Sequence, residues 1–170
     1  MNSKLFVAIL MGSDSDLPVM QAARDLLESL QISCEWKITS AHRTPETTRA
    51  YVEEAEQRGC AVFIAAAGLA AHLAGSVAAH TIKPVIGVPL DAGPLHGVDA
   101  LLSTVQMPSG IPVATVAIGT TGAKNAAYLA AQILALNDVK LAERLRQERL
   151  SNAEKIYAKD AALHGDKSCV

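Results

Sequence analysis

The sequence predicts a three-layer, doubly wound α/β domain on a parallel sheet, with an extra charged helix at its carboxyl end. Three observations carry that prediction. Short unbroken apolar runs alternate with helix-period segments along most of the chain, and strands that read as continuous apolar runs are strands buried on both faces. With 170 residues, half of them hydrophobic, the chain can bury an ample core, so disorder is excluded and one domain over 1–170 is expected. Charge is also unevenly spread: residues 60–136 carry only Lys83, Asp91, Asp99 and Lys124, whereas residues 137–170 carry thirteen charges.

The elements follow in order. Residues 5–11 (LFVAILM) form the first strand, and after Gly-Ser-Asp-Ser-Asp a helix runs over about 17–30. Residues 34–39 are the second strand and 45–58 the second helix, with Thr44 as cap and Pro45 at the first helical position. Residues 61–67 are the third strand, feeding a small-residue helix near 70–80; residues 84–88 are the fourth. Residues 99–107 read as a helix, 113–118 as the fifth strand and 123–136 as another helix. Right-handed crossovers then give a flavodoxin-like order for the core at about 5–136. Residues 138–160 make the charged C-terminal helix, with a narrow apolar stripe of Leu141, Leu145 and Ile156. The helices at 70–80 and 123–136 lack the charged outer stripe of a solvent-facing helix, which predicts subunit contacts.

Several function classes drop out. A net charge of −2 argues against an electrostatic nucleic-acid binder, and six aromatic residues are too few for a base-stacking platform. Cys34, Cys60 and Cys169 are odd in number and lack metal or CxxC spacing, so neither a disulfide framework nor a zinc site is expected. Cys34 and Cys60 read as small buried hydrophobes. Residues 1–5 enter the first strand without a signal peptide's apolar region, and the longest uncharged runs are broken by Gly, Pro, His, Ser or Thr. A cytoplasmic protein without a membrane partner is expected.

In a doubly wound sheet, ligands bind beyond the carboxyl ends of the strands. The loop Gly12-Ser13-Asp14-Ser15-Asp16 reads as an anion cradle at a helix start, with an acid able to accept from sugar hydroxyls. A capped turn, in which Asp or Ser satisfies free N–H groups, explains the same residues. It is neither a dinucleotide nor a triphosphate loop. In Ser40-Ala41-His42-Arg43-Thr44-Pro45, Arg43 offers a planar fork for phosphate, and His42 can carry a proton near neutral pH unaided. The Ala- and Gly-rich run 65–75, with Gly68 and His72, allows backbone to approach a ligand closely. The Pro-punctuated segments 87–90 and 106–112 read as walls or a lid.

Gly12-Ser-Asp-Ser-Asp16, Ser40-Ala-His-Arg-Thr-Pro45, Ala70-Ala-His-Leu73, Gly87-Val-Pro89 and Asp99-Ala-Leu-Leu-Ser-Thr-Val-Gln-Met-Pro108 occur in one order. Together they closely resemble the N5-carboxyaminoimidazole ribonucleotide mutase family of bacterial purine biosynthesis, over about residues 5–136. Arg43-Thr44-Pro45 and His72 are similar to the mutase branch; the branch that uses free CO2 tends to have Lys-Thr-Ala after its His. Ala66, Leu69 and Ala74 stand where the family's third loop commonly has two glycines and a proline.

The resemblance implies a flavodoxin-like subunit in an octamer whose sites draw on more than one subunit. It also implies an isomerase that moves a carboxyl group from an exocyclic nitrogen to ring carbon C4, with neither metal nor cofactor. By the same resemblance, His42 is the acid/base. Ser13, Ser40 and Arg43, with Ser15 beside them, hold the 5′-phosphate, and Asp16 holds the ribose. Gly68 faces the carboxylate, and His72 stands either on the carboxylate side or behind the residues that touch the substrate. Two rival classes are a CO2-dependent aminoimidazole ribonucleotide carboxylase and a flavin- or nucleotide-binding module without catalysis. The candidate loops contain no aromatic residue to flank a flavin.

Overall fold

The computed structural model describes residues 5–165. Its chain divides into two compact units, one ending at Ala131 and the other starting at Gln132.

The first unit is a five-stranded parallel sheet with helices between its strands. Its elements are β1 (Phe6–Met11), α1 (Leu17–Ser29), β2 (Ser33–Ile38), α2 (Pro45–Gln57), β3 (Cys60–Ala67), α3 (Leu73–Ala78), β4 (Val85–Pro89), α4 (Val98–Val105), β5 (Ala114–Thr115) and the start of α5 (Gly119–Ala135). The strand order β2-β1-β3-β4-β5 is the flavodoxin-like order expected from the alternation. β1 and β4 are buried along their whole length, and β3 along nearly all of it. That is why these three read as unbroken apolar runs. β2 lies at the edge, half-buried, and carries Glu35 and Lys37 among its apolar residues. Charges on an edge strand discourage pairing with a further strand.

Alternation along β1 splits the core. Phe6, Ala8 and Leu10 join Val52 and Ala55 of α2, Phe63 and Ala65 of β3, and Leu73, Ala74 and Val77 of α3 in one buried cluster. Val7, Ile9 and Met11, all fully buried, serve the opposite face.

Three elements depart from the sequence reading. β5 is a two-residue strand, not 113–118. α5 follows almost at once, starting at Gly119 rather than 123, and its first turn lies so close to the preceding chain that a Cβ at Gly122 would sit on the Ala117 carbonyl. The third helix spans Leu73–Ala78 instead of 70–80: the Ala71 N–H donates to the Leu69 carbonyl only two residues back, and helical spacing starts with the Ser76 N–H donating to His72. The start of α5 does show a polar outer side, Thr121, Lys124 and Asn125, against the expectation of an unadorned face. Cys34 is also only half-buried, whereas Cys60 is buried and its thiol is pushed up to about 11 by desolvation. Both are free, and Cys169 lies outside the described residues.

The second unit holds the end of α5 and α6 (Val139–Gly165). Asp138 caps α6 by accepting from the Leu141 N–H at 3.0 Å. Of the expected stripe Leu141 is buried, Leu145 is half-buried and Ile156 is exposed. Among the described residues no helix is long and apolar enough to cross a membrane.

One side-chain network ties edge strand β2 to α2. Both Arg58 guanidinium Nη groups donate to Glu35, at 2.9 and 2.6 Å, and the Tyr51 hydroxyl donates to it at 2.6 Å. Arg58 holds the Glu35 carboxyl below the usual carboxylate range, against partial desolvation. A carboxyl lowered on folding adds stability above its unfolded pKa and loses it as pH falls through the folded value. Glu35→Gln should therefore cost up to about 1 kcal/mol at neutral pH. Urea unfolding should show the gap between wild type and variant closing as pH drops below about 4.

Candidate active site

The carboxyl ends of the strands enclose a cleft of about 600 Å³. Its walls come from the loops after β1 (Gly12, Ser13, Ser15, Asp16), β2 (Ser40–Arg43) and β3 (Ala67–Leu73), with Ala92 after β4. All eight residues singled out from the sequence, His42, Ser13, Asp16, Arg43, Ser40, Ser15, Gly68 and His72, line it.

The loop after β1 is a capped turn. Residues Asp14–Asp16 form a 3₁₀ turn; the Ser13 hydroxyl accepts from the Ser15 N–H at 3.3 Å, and the Asp16 carboxylate accepts from the Ser13 N–H at 3.0 Å. This is a reciprocal capping box. Asp16 thus has one oxygen, Oδ2, committed to the backbone, while Oδ1 takes only a long 3.4 Å bond from the Ser15 hydroxyl. Desolvation by half-burial raises its carboxyl above the usual range, outweighing the bonds from Ser13 and Ser15.

The loop after β2 is pinned by Thr44, though not in the way the sequence suggested. Thr44 stands at the N-cap and Pro45 follows at the helix start, but its hydroxyl makes no cap bond. It accepts instead from the Ser40 N–H at 2.9 Å and lies 3.2 Å from the Thr39 hydroxyl, itself 2.7 Å from that of buried Thr48. The threonine closes the loop on itself, so residues 40–43 project as a rigid bulge.

Arg43 binds that bulge to its neighbour. Its backbone N–H donates to the Ser40 hydroxyl at 3.1 Å, and its guanidinium donates to the Gly12 carbonyl at 3.3 Å. No described carboxylate lies within ion-pair distance of it, which leaves its charge for a ligand. His42 is exposed, and its ring makes no hydrogen bond among the described residues. Its nearest aromatic companion is His72, with ring centroids 5.2 Å apart and planes tilted by 37°.

The third loop presses against the segment after β4. A Cβ on Gly68 would lie 2.6 Å from the Ala92 Cβ, so a glycine is required there. Sequence reading overlooked Ala92, although it follows a strand as the other site residues do. The segments read as walls or a lid sit elsewhere: Gly87–Pro89 is inside β4, and Gly110–Pro112 line a larger concavity of about 940 Å³. That concavity borders Pro84 and Val85 at the amino end of β4. Helix N-termini face the other end of the sheet, so the smaller cleft is the functional candidate. Among the described residues no group of three or more His, Cys, Asp or Glu is placed to hold a metal ion.

Known proteins resemble this chain over most of its length. The family described as AIR carboxylase matches residues 6–155. The N5-carboxyaminoimidazole ribonucleotide mutase of Pyrococcus abyssi is 55% identical over 84% of this chain and 81% of its own length. The mutase of the same name from Escherichia coli K12 is 50% identical over 91% of this chain and 92% of its own. The crystal structure of Treponema denticola PurE superposes with a TM-score of 0.84 at 34% identity, covering 94% of this chain and 98% of that one.

The capping box makes a stability prediction. Asp16→Ala should cost about 1 kcal/mol in chemical denaturation by orphaning the Ser13 N–H. Asp16→Asn, which keeps an acceptor oxygen, should retain most of that stability.

Proposed function

The chain belongs to the AIR carboxylase family, and from that membership we propose the activity its relatives are named for. It converts N5-carboxyaminoimidazole ribonucleotide to 4-carboxy-5-aminoimidazole ribonucleotide, a mutase reaction of purine biosynthesis. What carries the reading is one cleft that joins an unencumbered imidazole to an unpaired guanidinium, in a chain half-identical to mutases over nearly its full length.

The residues divide the work by chemistry. Arg43, with the Ser13 and Ser40 hydroxyls and Ser15 beside them, holds the 5′-phosphate; a planar guanidinium matches phosphate oxygens in a bidentate fork. The Oδ1 of Asp16, which takes only the long bond from the Ser15 hydroxyl, accepts from a ribose hydroxyl. The base then extends toward the third loop, where the Gly68 backbone and His72 meet the carboxylate.

His42 moves the proton. As imidazolium it gives a proton to the exocyclic nitrogen while the N–CO2 bond breaks, and the bonding pair stays on nitrogen. The products are the neutral amine and CO2. The C4 carbon of the electron-rich ring then attacks CO2, forming the C–C bond, and the C4 proton returns to His42. Atoms and charge balance over the cycle, so one histidine serves both steps.

The working assembly is a cytoplasmic homo-oligomer, an octamer by analogy with the family. Support comes from apolar groups left on the surface. Val98, Leu102 and Val105 on one face of α4 are 51%, 56% and 46% exposed, and on α6 Leu150, Ile156, Tyr157 and Leu163 are exposed. Apolar stripes of this kind mark protein contacts.

Three measurements test these readings. His42→Asn should lower turnover of the carbamate by about 10²–10⁴-fold while retaining substrate-analogue binding; a wild-type rate would remove His42 from the mechanism. The same assay run on aminoimidazole ribonucleotide plus bicarbonate separates the mutase from a CO2-dependent carboxylase. Light scattering at micromolar concentration should give a mass many times the 17.8 kDa subunit. A stable monomer would overturn the oligomer.

A further inference from the structure

A buried hydroxyl costs free energy unless it is bonded, so each one kept in a protein interior has a partner that matters. The described residues hold three buried polar side chains, Thr39, Thr48 and Thr104. Thr104 returns its hydroxyl to the Ala100 carbonyl of its own helix, at 2.7 Å. Thr39 and Thr48 are bonded to each other instead, at 2.7 Å, between the end of β2 and the first turn of α2. Thr48 is fully buried, and neither residue lines the cleft. Valine would fill the same space at either position with no hydroxyl to satisfy.

The bonds of this pair lead into the site. Thr48 donates to the Thr44 carbonyl at 3.1 Å. A hydroxyl has one proton to give, so Thr39 is the donor to Thr48. Thr39 in turn lies 3.2 Å from the Thr44 hydroxyl, which accepts the Ser40 N–H at 2.9 Å. Thr44 completes the chain by donating to Thr39, because its other acceptor, the Ser40 carbonyl at 3.1 Å, already takes the Thr44 N–H at 2.8 Å. One directed chain thus runs from the Ser40 N–H through Thr44, Thr39 and Thr48 to the Thr44 carbonyl. Its ends are the two backbone groups that bound the loop carrying His42 and Arg43. Arg43 has a further tie through its guanidinium, to the Gly12 carbonyl. His42 has no hydrogen bond of its own among the described residues, so its ring stands where the loop backbone puts it.

We propose that Thr48 is a positioning residue for His42: the buried hydroxyl chain Thr48–Thr39–Thr44 holds the backbone of residues 40–44 in the arrangement that presents the imidazole to the substrate. The inference rests on the role given to His42 above. An acid that serves two atoms in turn must stand within hydrogen-bond reach of both, and a displacement of ~1 Å costs up to about 10²-fold in rate. Hydrocarbon at position 48 leaves α2 packed but removes the far anchor of the chain. The loop then keeps only its backbone bonds, Thr44 N–H to Ser40 and Thr48 N–H to Thr44, and the Arg43 contacts.

Thr48→Val and Thr48→Ser separate this role from packing. Valine keeps the volume and loses the hydroxyl; serine keeps the hydroxyl and loses a buried methyl. Packing alone ranks serine as the more damaging change, in melting temperature and in activity alike. The positioning role reverses the order for activity. Thr48→Val should lose on the order of 10-fold in kcat on the carbamate, with a smaller rise in KM because Arg43 keeps its tie to Gly12. Thr48→Ser should stay near the wild-type kcat although it melts lower. The His42 ring signal in NMR spectra of histidine-labelled protein, assigned with His42→Asn, reads the geometry without turnover. It should shift or broaden in Thr48→Val and hold in Thr48→Ser. Either a wild-type kcat or an unmoved His42 signal in Thr48→Val would overturn the positioning role while leaving the mutase reading intact, as would a Thr48→Ser enzyme equally slow. If Thr48→Val does not fold, Thr39→Val cuts the same chain and carries the same expectations. A wild type that fails to turn over the carbamate overturns the mutase reading alone, and the ring signal still decides the role of Thr48.

Discussion

The hydrogen bonds of β1 to both its neighbours hold the chemistry in place. Because β1 is wholly buried, each of its backbone groups needs a partner, and only β2 and β3 can supply them. The register pairs Met11 with Ile38 on one side and Ala66 on the other. One residue further on, the Thr39 N–H donates to Met11 at 2.9 Å and the Gly12 N–H donates to Ala66 at 3.2 Å. Three strands thus end at one level, and the loops carrying Ser13, His42 and Gly68 open from a common edge. A one-residue slip would reverse the faces of the strand and empty the core.

That edge is where the sequence was most legible. Unbroken apolar runs revealed β1, β3 and β4 because parallel strands buried on both faces cannot tolerate charge. The rule that ligands gather beyond strand ends then brought all eight candidate residues to one cleft. What stayed hidden depended on the path of the backbone rather than on residue type. The apolar pattern could not show that β5 would stop at Thr115 or that Gly122 would meet the Ala117 carbonyl. Nor could it show that the Thr44 hydroxyl would turn toward Ser40 and Thr39 rather than cap α2. Ala92 escaped because an alanine carries no chemical signal, although its position after β4 was available. The paired roles of Asp14, Ser15 and Asp16 were ambiguous, since residues that cap a helix are those that bind anions beside one.

The cap and the anion cradle are in fact compatible at Ser13–Asp16. The Asp16 carboxylate uses Oδ2 to fix the loop, which leaves Oδ1 presented at a defined angle. Arg43 has the same double character: Nη2 donates to Gly12 and Nε to the Ser40 hydroxyl at 3.5 Å, which leaves Nη1 available. Each side chain binds its neighbouring loop first, so little rotamer freedom remains to be lost when a ligand arrives. Preorganisation of this kind suits a reaction whose reactive carbon is briefly unattached, because the acceptor carbon must already be in place.

The third loop is held by contact with the segment after β4, and Ala66, Leu69 and Ala74 each bear on its stiffness differently. Replacing glycine by alanine inside a strand stabilises by about 0.4–1 kcal/mol through the unfolded chain. Ala66 lies inside β3, fully buried and paired with Val88, so it takes that gain without strain. Ala74 is buried and sets its methyl against Gly87 of β4. Leu69 stands at φ +55° and gains no ease from its backbone, and its strain is balanced by contact with Gly93. Stiffness that proline would supply through covalent geometry is supplied here through packing between the segments after β3 and β4. The wall of the cleft and the anchor of α3 have therefore become parts of one contact surface.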